Sequence, residues 1–166
     1  MPVAWTTPRT WVANEVPGET EFNTHVRDNL NYLFAPSFHQ IITASGGAYS
    51  ITATTAVPID TANLSITLTT YGGNVHFHFA GLFSGQGFMR LGMEYDGSAV
   101  YHALTGLTRL SLGGLGASQM GQIDGWITGL ASGSHVFRPT WFMATGITTG
   151  QLQVNSVPAI LWVREG

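Results

Sequence analysis

The sequence contains no cysteine, which excludes a disulfide framework, a thiolate metal site and a cysteine nucleophile. It also contains no lysine, so all six basic residues are arginine. Charged residues make up only 9% of the chain, against about 25% in an ordinary soluble domain. Such a low charge content indicates that much of the surface is covered, either in an oligomer or in a larger assembly.

Long apolar runs and targeting signals are absent as well. No segment approaches the ~20 apolar residues of a membrane-spanning helix. Residues 1–5 show neither the basic nor the apolar region of a signal peptide. A net charge of -3 with no basic cluster argues against nucleic acid as a partner. We therefore expect synthesis in the cytoplasm without a signal peptide, and neither a membrane nor a nucleic acid as a partner.

The chain is long enough for one domain and a short appendage, and residues 1–36 differ in character from the rest. Three prolines in the first 17 residues disfavour helix there, which predicts an extended arm. The arm carries apolar residues without a regular period. Burial of such side chains against another protein surface is favourable. Trp and Arg often dominate interface energies, so we expect the arm to anchor the protein through Trp5, Arg9, Trp11 and Val12.

A short helix is predicted from Glu19 to Phe34. Gly18 can serve as its N-cap, acidic residues occupy its first turn, and Pro36 ends it. Val26, Leu30 and Leu33 follow the spacing of a coiled-coil seam, which predicts an oligomer interface. The alternative is an amphipathic helix that packs on its own subunit, and the sequence leaves both open.

Residues 37–166 have the composition of an all-β domain, with Thr, Gly, branched aliphatic and aromatic residues between frequent turn signals. Alternating apolar and polar residues predict strands, and Asp96-Gly97 is a strong hairpin signal. Eight to ten short strands without intervening helices predict a jelly-roll β-sandwich. Gly113–Gly116 is expected to form a flexible loop. The strands are predicted at 64–69, 75–80, 89–95, 101–104, 109–112, 122–127, 135–143 and 159–164.

His76 and His78 are the residues that most resemble a metal site. They are two positions apart on a predicted strand, so both point to one face, as in metal-dependent jelly-roll enzymes of the cupin class. A third ligand is not evident in the sequence, although Glu94, His102 or His135 could approach in space. Paired strand histidines without a complete ligand set more often lie in a polar interface layer. We therefore expect no metal, no other cofactor and no catalytic residue.

Other catalytic and ligand-binding patterns are weak. No nucleophile elbow is present, and Asp60, Asp96 and Asp124 lie near turn residues, which is the usual reason for Asp at such positions. Trp126 and Trp141, with Trp162, could stack on sugars, but Trp in a sandwich more often lies in the core or an interface. Glycan stacking by Trp126 and Trp141 remains a secondary expectation.

The N-terminal residues resemble a known segment of viral proteins. Trp5-Thr6-Thr7-Pro8-Arg9-Thr10-Trp11-Val12, followed by Phe22-Asn23-Thr24-His25-Val26-Arg27-Asp28-Asn29-Leu30, is similar to a segment of many tailed-bacteriophage and prophage structural proteins. There it reads approximately Pro-Arg-Thr-Trp, a spacer, and Leu-Asn-Thr-His-Val-Arg-Asp-Asn-Leu. This chain departs from the pattern at Pro17-Gly18, where relatives usually carry a Thr-containing cap.

The C-terminal residues resemble the last strands of jelly-roll domains in the same proteins. Gly133-Ser134-His135-Val136-Phe137, Trp141 and the ending Leu161-Trp162-Val163-Arg164-Glu165 carry this second resemblance. Those domains are similar in outline to the trimeric tumour-necrosis-factor and C1q folds. The resemblance implies a virion role and a homotrimer, without specifying capsid, neck or tail.

These observations predict a non-enzymatic structural protein on the surface of a phage particle. The leading hypothesis is a trimeric capsid decoration (cement) protein, whose partners are its own copies and the major capsid protein or another virion protein. Binding to the assembled shell, but not to separate subunits, would stabilise the shell by mass action. The alternative is a tail-fibre or neck module that binds a receptor or glycan, and a cupin-like metal enzyme is a distant third.

Overall fold

The computed structural model describes residues 6–7, 9–30, 38–43, 48–99, 108–144 and 149–166. The described residues contain one short helical segment and ten strands, and every strand pairing is antiparallel. The strands are β1 (Phe38–Thr43), β2 (Tyr49–Ile51), β3 (Val57–Pro58), β4 (Ile66–Thr70), β5 (Gly73–Tyr95), β6 (Ser98–Ala99), β7 (Thr108–Leu130), β8 (Gly133–Met143), β9 (Gly150–Leu152) and β10 (Ala159–Glu165).

Two strands of 23 residues, β5 and β7, belong to both layers of the sandwich. The first half of β5 pairs with β10 on one side and with the second half of β7 on the other. The second half of β5 pairs with β8 and with the first half of β7. The first layer therefore has the order β1-β10-β5-β7, and the second has β8 between β5 and the short strands β3 and β4.

This order confirms the predicted all-β jelly-roll class. The separately predicted strands at 75–80 and 89–95 are the two ends of β5, and those at 109–112 and 122–127 both lie in β7. The strand predicted at 101–104 lies outside the described residues.

The change of layer occurs at a register shift between Ser84 and Gly85. Gly85 has a φ of 142°, and a Cβ there would lie 2.5 Å from the carbonyl oxygen of Thr149, so a side chain is excluded. The prediction of a loop at Gly113–Gly116 is wrong. These residues belong to β7 and lie opposite Gly85, where β5 changes layers. Their intrinsic flexibility is outweighed by pairing with β5, and glycine permits the sharp curvature.

One hydrophobic core fills the space between the layers. Val75, Phe77 and Phe79 point inward from the first layer with at most 1% exposure, and Leu91 and Met93 do so from the second. Each fully buried side chain of this size contributes about 1.5–3 kcal/mol from its transfer out of water. The period-two alternation of the sequence thus gives each strand one core face and one outer face.

The N-terminal helical segment begins at Glu19, after Gly18 as N-cap, as predicted. It starts as α1 (Glu19–Phe22), continues as a π-helical turn at Asn23–Asp28 and returns to α-helical geometry at Asn29 and Leu30. The predicted continuation to Phe34 lies outside the described residues. In the described part of the chain, no helix is long and apolar enough to cross a membrane.

Candidate functional site

The outer surface of the first layer is unusually apolar for an exposed sheet. Four large side chains on it remain substantially exposed: Phe38 at 54%, Ile42 at 58%, Met120 at 59% and Trp126 at 46%. We call this surface the apolar face. It consists of the outward side chains of four adjacent strands, namely Phe38, Gln40 and Ile42 on β1, Ile160, Trp162 and Arg164 on β10, His76, His78 and Ala80 on β5, and Met120, Gln122, Asp124 and Trp126 on β7.

Strand register arranges the apolar face in rows. One row runs Phe38, Arg164, His76, Trp126, and the next runs Gln40, Trp162, His78, Asp124. The third row, Ile42, Ile160, Ala80 and Gln122, contains no ionisable group. The ionisable side chains of the face therefore lie together at one end, beside an uncharged apolar end.

Asp124 is the polar centre of this face. Its Oδ1 lies 2.8 Å from Nε2 of His76, and its Oδ2 lies 3.2 Å from Nδ1 of His78. The carboxylate can only accept, so both imidazoles donate to it. These hydrogen bonds, led by that of His76, hold the pKa of Asp124 below its usual range despite some desolvation.

Sequence reasoning placed Asp124 near a turn, and that interpretation is wrong. Asp124 lies within β7, where cross-strand pairing sets it directly opposite His78. Asp124 lies on the same outer face as His78 because the two residues are paired across β5 and β7. This relation is visible only when the pairing of the two strands is known. The interpretation does hold for Asp60 and Asp96, which lie at turns of the described chain.

Aromatic rings enclose the two histidines. The ring of His76 stacks on Trp126, with centroids 4.5 Å apart and planes at 7°, and meets the edge of Trp162 at 4.9 Å. The ring of His78 stacks on Trp162 at 5.5 Å. One face of the Trp126 indole is thus covered by His76, and the main chain of Gly166 lies against its six-membered ring. Because 46% of the Trp126 side chain is nevertheless exposed, glycan stacking at this residue stays a prediction.

Trp141 is the correction among the predicted glycan residues. It is only 2% exposed, and it lies in the core, so it presents no ring face to a ligand. Trp141 lies in β8 directly opposite Val57 of β3 and Leu91 of β5. The side chains at these paired positions point toward the core.

Of the other residues considered as metal ligands, Glu94 and His135 have partners elsewhere. Glu94 lies 3.2 Å from Nη1 of Arg138, and Nδ1 of His135 lies 2.7 Å from Oδ2 of Asp96, both in the second layer. His102 lies outside the described residues. Across the described ranges, no group of three or more His, Asp or Glu side chains is arranged to hold a metal ion.

The outer surface of the second layer has a different character. It carries the Glu94–Arg138 pair, Arg90 and the exposed hydroxyl side chains of Thr67 and Thr69. Phe88, at 37% exposure, is the one large exposed apolar side chain on it among the described residues. Ser65 also accepts a hydrogen bond from Nε of Arg138 at 3.3 Å. This charged, hydroxyl-rich face is typical of a solvated sheet, whereas the apolar face is typical of one that packs on protein.

The arm folds back along the helical segment. Asn29, which is 5% exposed, accepts a hydrogen bond from the main-chain nitrogen of Thr6 at 2.8 Å and donates one to its carbonyl oxygen at 2.8 Å. Arg9 forms ion pairs with Glu15 and Glu21 and lies over the ring of Trp11, 5.3 Å from its centroid. We call the described residues 6–7 and 9–30 in this arrangement the N-terminal hook.

Large apolar side chains remain exposed on the hook. Val12 is 70% exposed, Val16 90%, Phe22 52% and Trp11 41%. The guanidinium of Arg9 is engaged inside the hook by Glu15, Glu21 and the ring of Trp11. Glu15 also accepts a hydrogen bond from the main-chain nitrogen of Val12 at 3.1 Å. Trp5, the fourth predicted anchoring residue, lies outside the described part of the chain.

The predicted seam is described only in part. Val26 is half-buried and Leu30 is 48% exposed, while Leu33 lies outside the described residues. The π-helical turn at Asn23–Asp28 interrupts the α-helical repeat between Phe22 and Leu30. Such turns break the regular heptad geometry of a long coiled coil.

Comparisons with known proteins provide similarities of fold only. No family model and no curated protein matches the chain. Similar solved structures include infectious bursal disease virus, Gx strain, at TM-score 0.46 and 15% identity over 80% of this chain and 32% of the other. They also include the VP2 subviral particle of that virus at 0.42 and 12%, over 78% and 37%. A third is the Arthrobacter globiformis T6 isomalto-dextranase with panose at 0.37 and 15%, over 75% and 23%. The chain thus spans less than two fifths of each of these structures.

Proposed function

We propose that this chain is a non-enzymatic structural protein of a tailed-bacteriophage particle, acting as a homotrimeric capsid decoration (cement) protein. The observation that carries the proposal is the contrast between the two outer surfaces of the sandwich. An exposed sheet face with Phe38, Ile42, Met120 and Trp126 is costly in water and becomes favourable when a second copy covers it.

The composition supports the same conclusion. With 9% charged residues, the chain has few charged groups to keep its surface solvated. The charged side chains of the second layer, Arg90, Glu94 and Arg138, lie on its outer surface. The apolar face is adjacent to the outer edge of β7, which pairs only with β5 among the described strands. Contact between a face and a different surface of the next copy is head-to-tail, and such contacts close into rings such as trimers.

The N-terminal hook supplies the second surface. Trp11, Val12, Val16 and Phe22 are exposed apolar side chains on this segment, which internal ion pairs and hydrogen bonds hold in place. Residues 5–12 and 22–30 are also those that resemble the phage segment. In this proposal the jelly roll forms the trimer, as in the tumour-necrosis-factor-like domains that its C-terminal strands resemble, and the hook binds the shell.

The experiment combines the mass of the free protein with its abundance in particles. Light scattering at micromolar concentration should give three times the 17.8 kDa of the chain. Quantitative mass spectrometry of purified particles should give hundreds of copies for a decoration protein. A stable monomer would overturn the trimer, and a few to a dozen copies would move the protein to the tail or neck.

A further inference from the structure

We propose that Glu165 is a proton-controlled latch, which holds the end of β10 against the β4–β5 turn (residues 71–72) when its carboxyl is neutral and releases it when the carboxyl ionises. Among the described residues, Glu165 is the only ionisable side chain that is buried, at 1% exposure. It lies on the core side of β10, in line with Leu161 and Val163. The latch goes beyond the proposed function and does not depend on it.

The two oxygens of the Glu165 carboxyl have different surroundings. Oε1 accepts a hydrogen bond from the main-chain nitrogen of Tyr71 at 2.7 Å, and the main-chain nitrogen of Gly72 also donates to the carboxyl. Oε2 is buried as well, and it has no hydrogen-bond partner among the described residues. A carboxylate shares its charge between both oxygens, so ionisation places charge on a buried oxygen that has no donor, which is unfavourable.

The neighbouring ionisable groups do not compensate that charge. Arg164 and His76 lie opposite each other on the outer side of the sheet, away from the core. His135 of β8 is hydrogen-bonded to Asp96. The β4–β5 and β7–β8 turns contribute Tyr71 as their only ionisable side chain. Within the described part of the chain, the docked carboxylate therefore has main-chain donors on one oxygen and no counter-charge.

The latch holds more than its own side chain. The main-chain nitrogen of Gly166 donates to the carbonyl oxygen of Asn74 at 3.1 Å, which ties the end of β10 to the start of β5. The main chain of Gly166 also packs on Trp126, since a Cβ added there would lie 2.7 Å from Cζ3 of the indole. Because Glu165 points to the core, its carboxyl reaches water when residues 165–166 separate from the β4–β5 turn. Release therefore also exposes more of the Trp126 ring on the apolar face.

Proton linkage gives the direction of the change. Burial raises the pKa of Glu165 above its ordinary value of 4.5, and the hydrogen bonds from Tyr71 and Gly72 offset only part of this rise. The contribution of the latch is fully present below about pH 4.5 and is lost as pH rises through the raised pKa of the docked carboxyl. Between these two values, the ratio of released to docked protein increases by up to about tenfold per pH unit.

The test is amide hydrogen exchange of the full chain at pH 4.5 and pH 7.5, read by mass spectrometry. Protection is expressed relative to the intrinsic exchange rate at each pH. The matched variant is Glu165→Gln, whose amide oxygen can still accept from the main-chain nitrogen of Tyr71 but whose side chain does not titrate. The control is Glu19→Gln, at an exposed position of α1.

The wild type should lose protection several-fold at residues 71–74 and 164–166 when pH rises to 7.5, while residues 77–83 of β5 remain protected. Glu165→Gln should keep the same protection at both pH values. Glu19→Gln should behave like the wild type. A loss that extends equally to residues 77–83 would indicate general unfolding and would overturn the latch.

The remaining outcomes also decide. Protection at residues 71–74 that does not change with pH in the wild type overturns the latch, and so does a Glu165→Gln variant that loses protection like the wild type. If Glu165→Gln fails to fold, carbon-13 NMR of the Glu165 carboxyl in the wild type decides instead. A titration midpoint above 4.5 that coincides with the loss of protection supports the latch, and a midpoint at or below 4.5 overturns it. A protein that proves monomeric would contradict the proposed trimer and leave this test unchanged.

Discussion

His135 donates from Nδ1 to Oδ2 of Asp96 at 2.7 Å, and this hydrogen bond joins β8 to the turn between β5 and β6. Its Nε2 donates to the carbonyl oxygen of Ala131 at 3.0 Å. Both partners are acceptors, so the doubly protonated imidazolium fits the site. The hydrogen bond to Asp96 is the main reason that the pKa of His135 is raised. The main-chain nitrogen of Val136, followed by His135, holds the pKa of Asp96 low.

The first prediction concerns the pH dependence of this pair. The contribution of His135 is fully present below its unfolded pKa of about 6.5 and is lost as pH rises through its raised folded value. That of Asp96 is present above about 3.9 and is lost as pH falls through its lowered folded value. His135→Asn should therefore destabilise the fold most between about pH 4 and 6.5, by about 1 kcal/mol because Asp96 is partly exposed.

Urea unfolding of the wild type and His135→Asn at pH 5.5 and 8.5 measures this difference. The gap between their free energies of unfolding should shrink at the higher pH. A gap that stays constant across this range would show that the imidazolium charge contributes nothing.

The second prediction concerns the bend where β5 changes layers. Gly85→Ala places a Cβ against the carbonyl oxygen of Thr149, at a position where the backbone φ is 142°. Gly73→Ala is at a position where φ is 122°, and no atom lies within 4 Å of the new carbon. Both pay a conformational cost of about 1–3 kcal/mol, and only Gly85→Ala adds overpacking of similar size. Thermal unfolding should show a clearly lower midpoint for Gly85→Ala, and equal midpoints would contradict the steric argument.

The sequence predicts the fold class well because alternation reports which residues face the core. Val75, Phe77 and Phe79 are buried as their pattern indicates. It does not reveal that 75–80 and 89–95 are one strand, because Gly85 and Gly87 between them look like breaks. The continuity of β5 comes from pairing with β7, a contact between residues that are distant in the chain.

The candidate site is predictable only in part, for the same reason. His76 and His78 share a face by simple alternation, and the sequence places them there. Their partner Asp124 lies 48 and 46 residues away and becomes a neighbour only through the register of β5 and β7. The sequence does not distinguish Trp126 from Trp141 as an exposed or a buried residue. Only the arrangement of the strands makes Trp126 exposed and Trp141 buried.

The third prediction uses these two tryptophans as a matched pair. Trp141→Ala removes a ring that is 2% exposed and should cost about 3–5 kcal/mol of folding free energy. Trp126→Ala removes a ring that is 46% exposed, so its folding cost should be much smaller. Its main effect should be on self-association, because the ring lies on the apolar face. Urea unfolding and light scattering at pH 7.5 separate the two effects, and a fully associated Trp126→Ala variant would argue against that face as the contact.

The fourth prediction concerns Asn29, which ties the arm to the helical segment. Its side chain makes reciprocal hydrogen bonds with the main chain of Thr6 and also donates to the carbonyl oxygen of His25 at 3.2 Å. Asn29→Ala should release residues 6–12, because the main-chain groups of Thr6 lose their buried partner at a cost of about 1–3 kcal/mol. Hydrogen exchange should increase in the arm and remain unchanged in β5. Protection that is unaffected in the arm would contradict the role assigned to Asn29.

The last prediction concerns the hook as the particle anchor. A chain beginning at Phe38 retains every described strand, so its β domain should fold and unfold in a single cooperative transition. It should nevertheless lose binding to particles that lack the native copy. Trp11→Ala should weaken binding by about 2 kcal/mol, a factor of about 30, because large exposed aromatic side chains often dominate contacts. Thr69→Ala, at an exposed position of β4 outside the hook, is the control and should bind normally. Co-sedimentation with particles measures the binding of the full chain, the shortened chain and each substituted variant separately. If the shortened chain binds as tightly as the full one, the jelly roll itself holds the particle and the hook serves the oligomer instead.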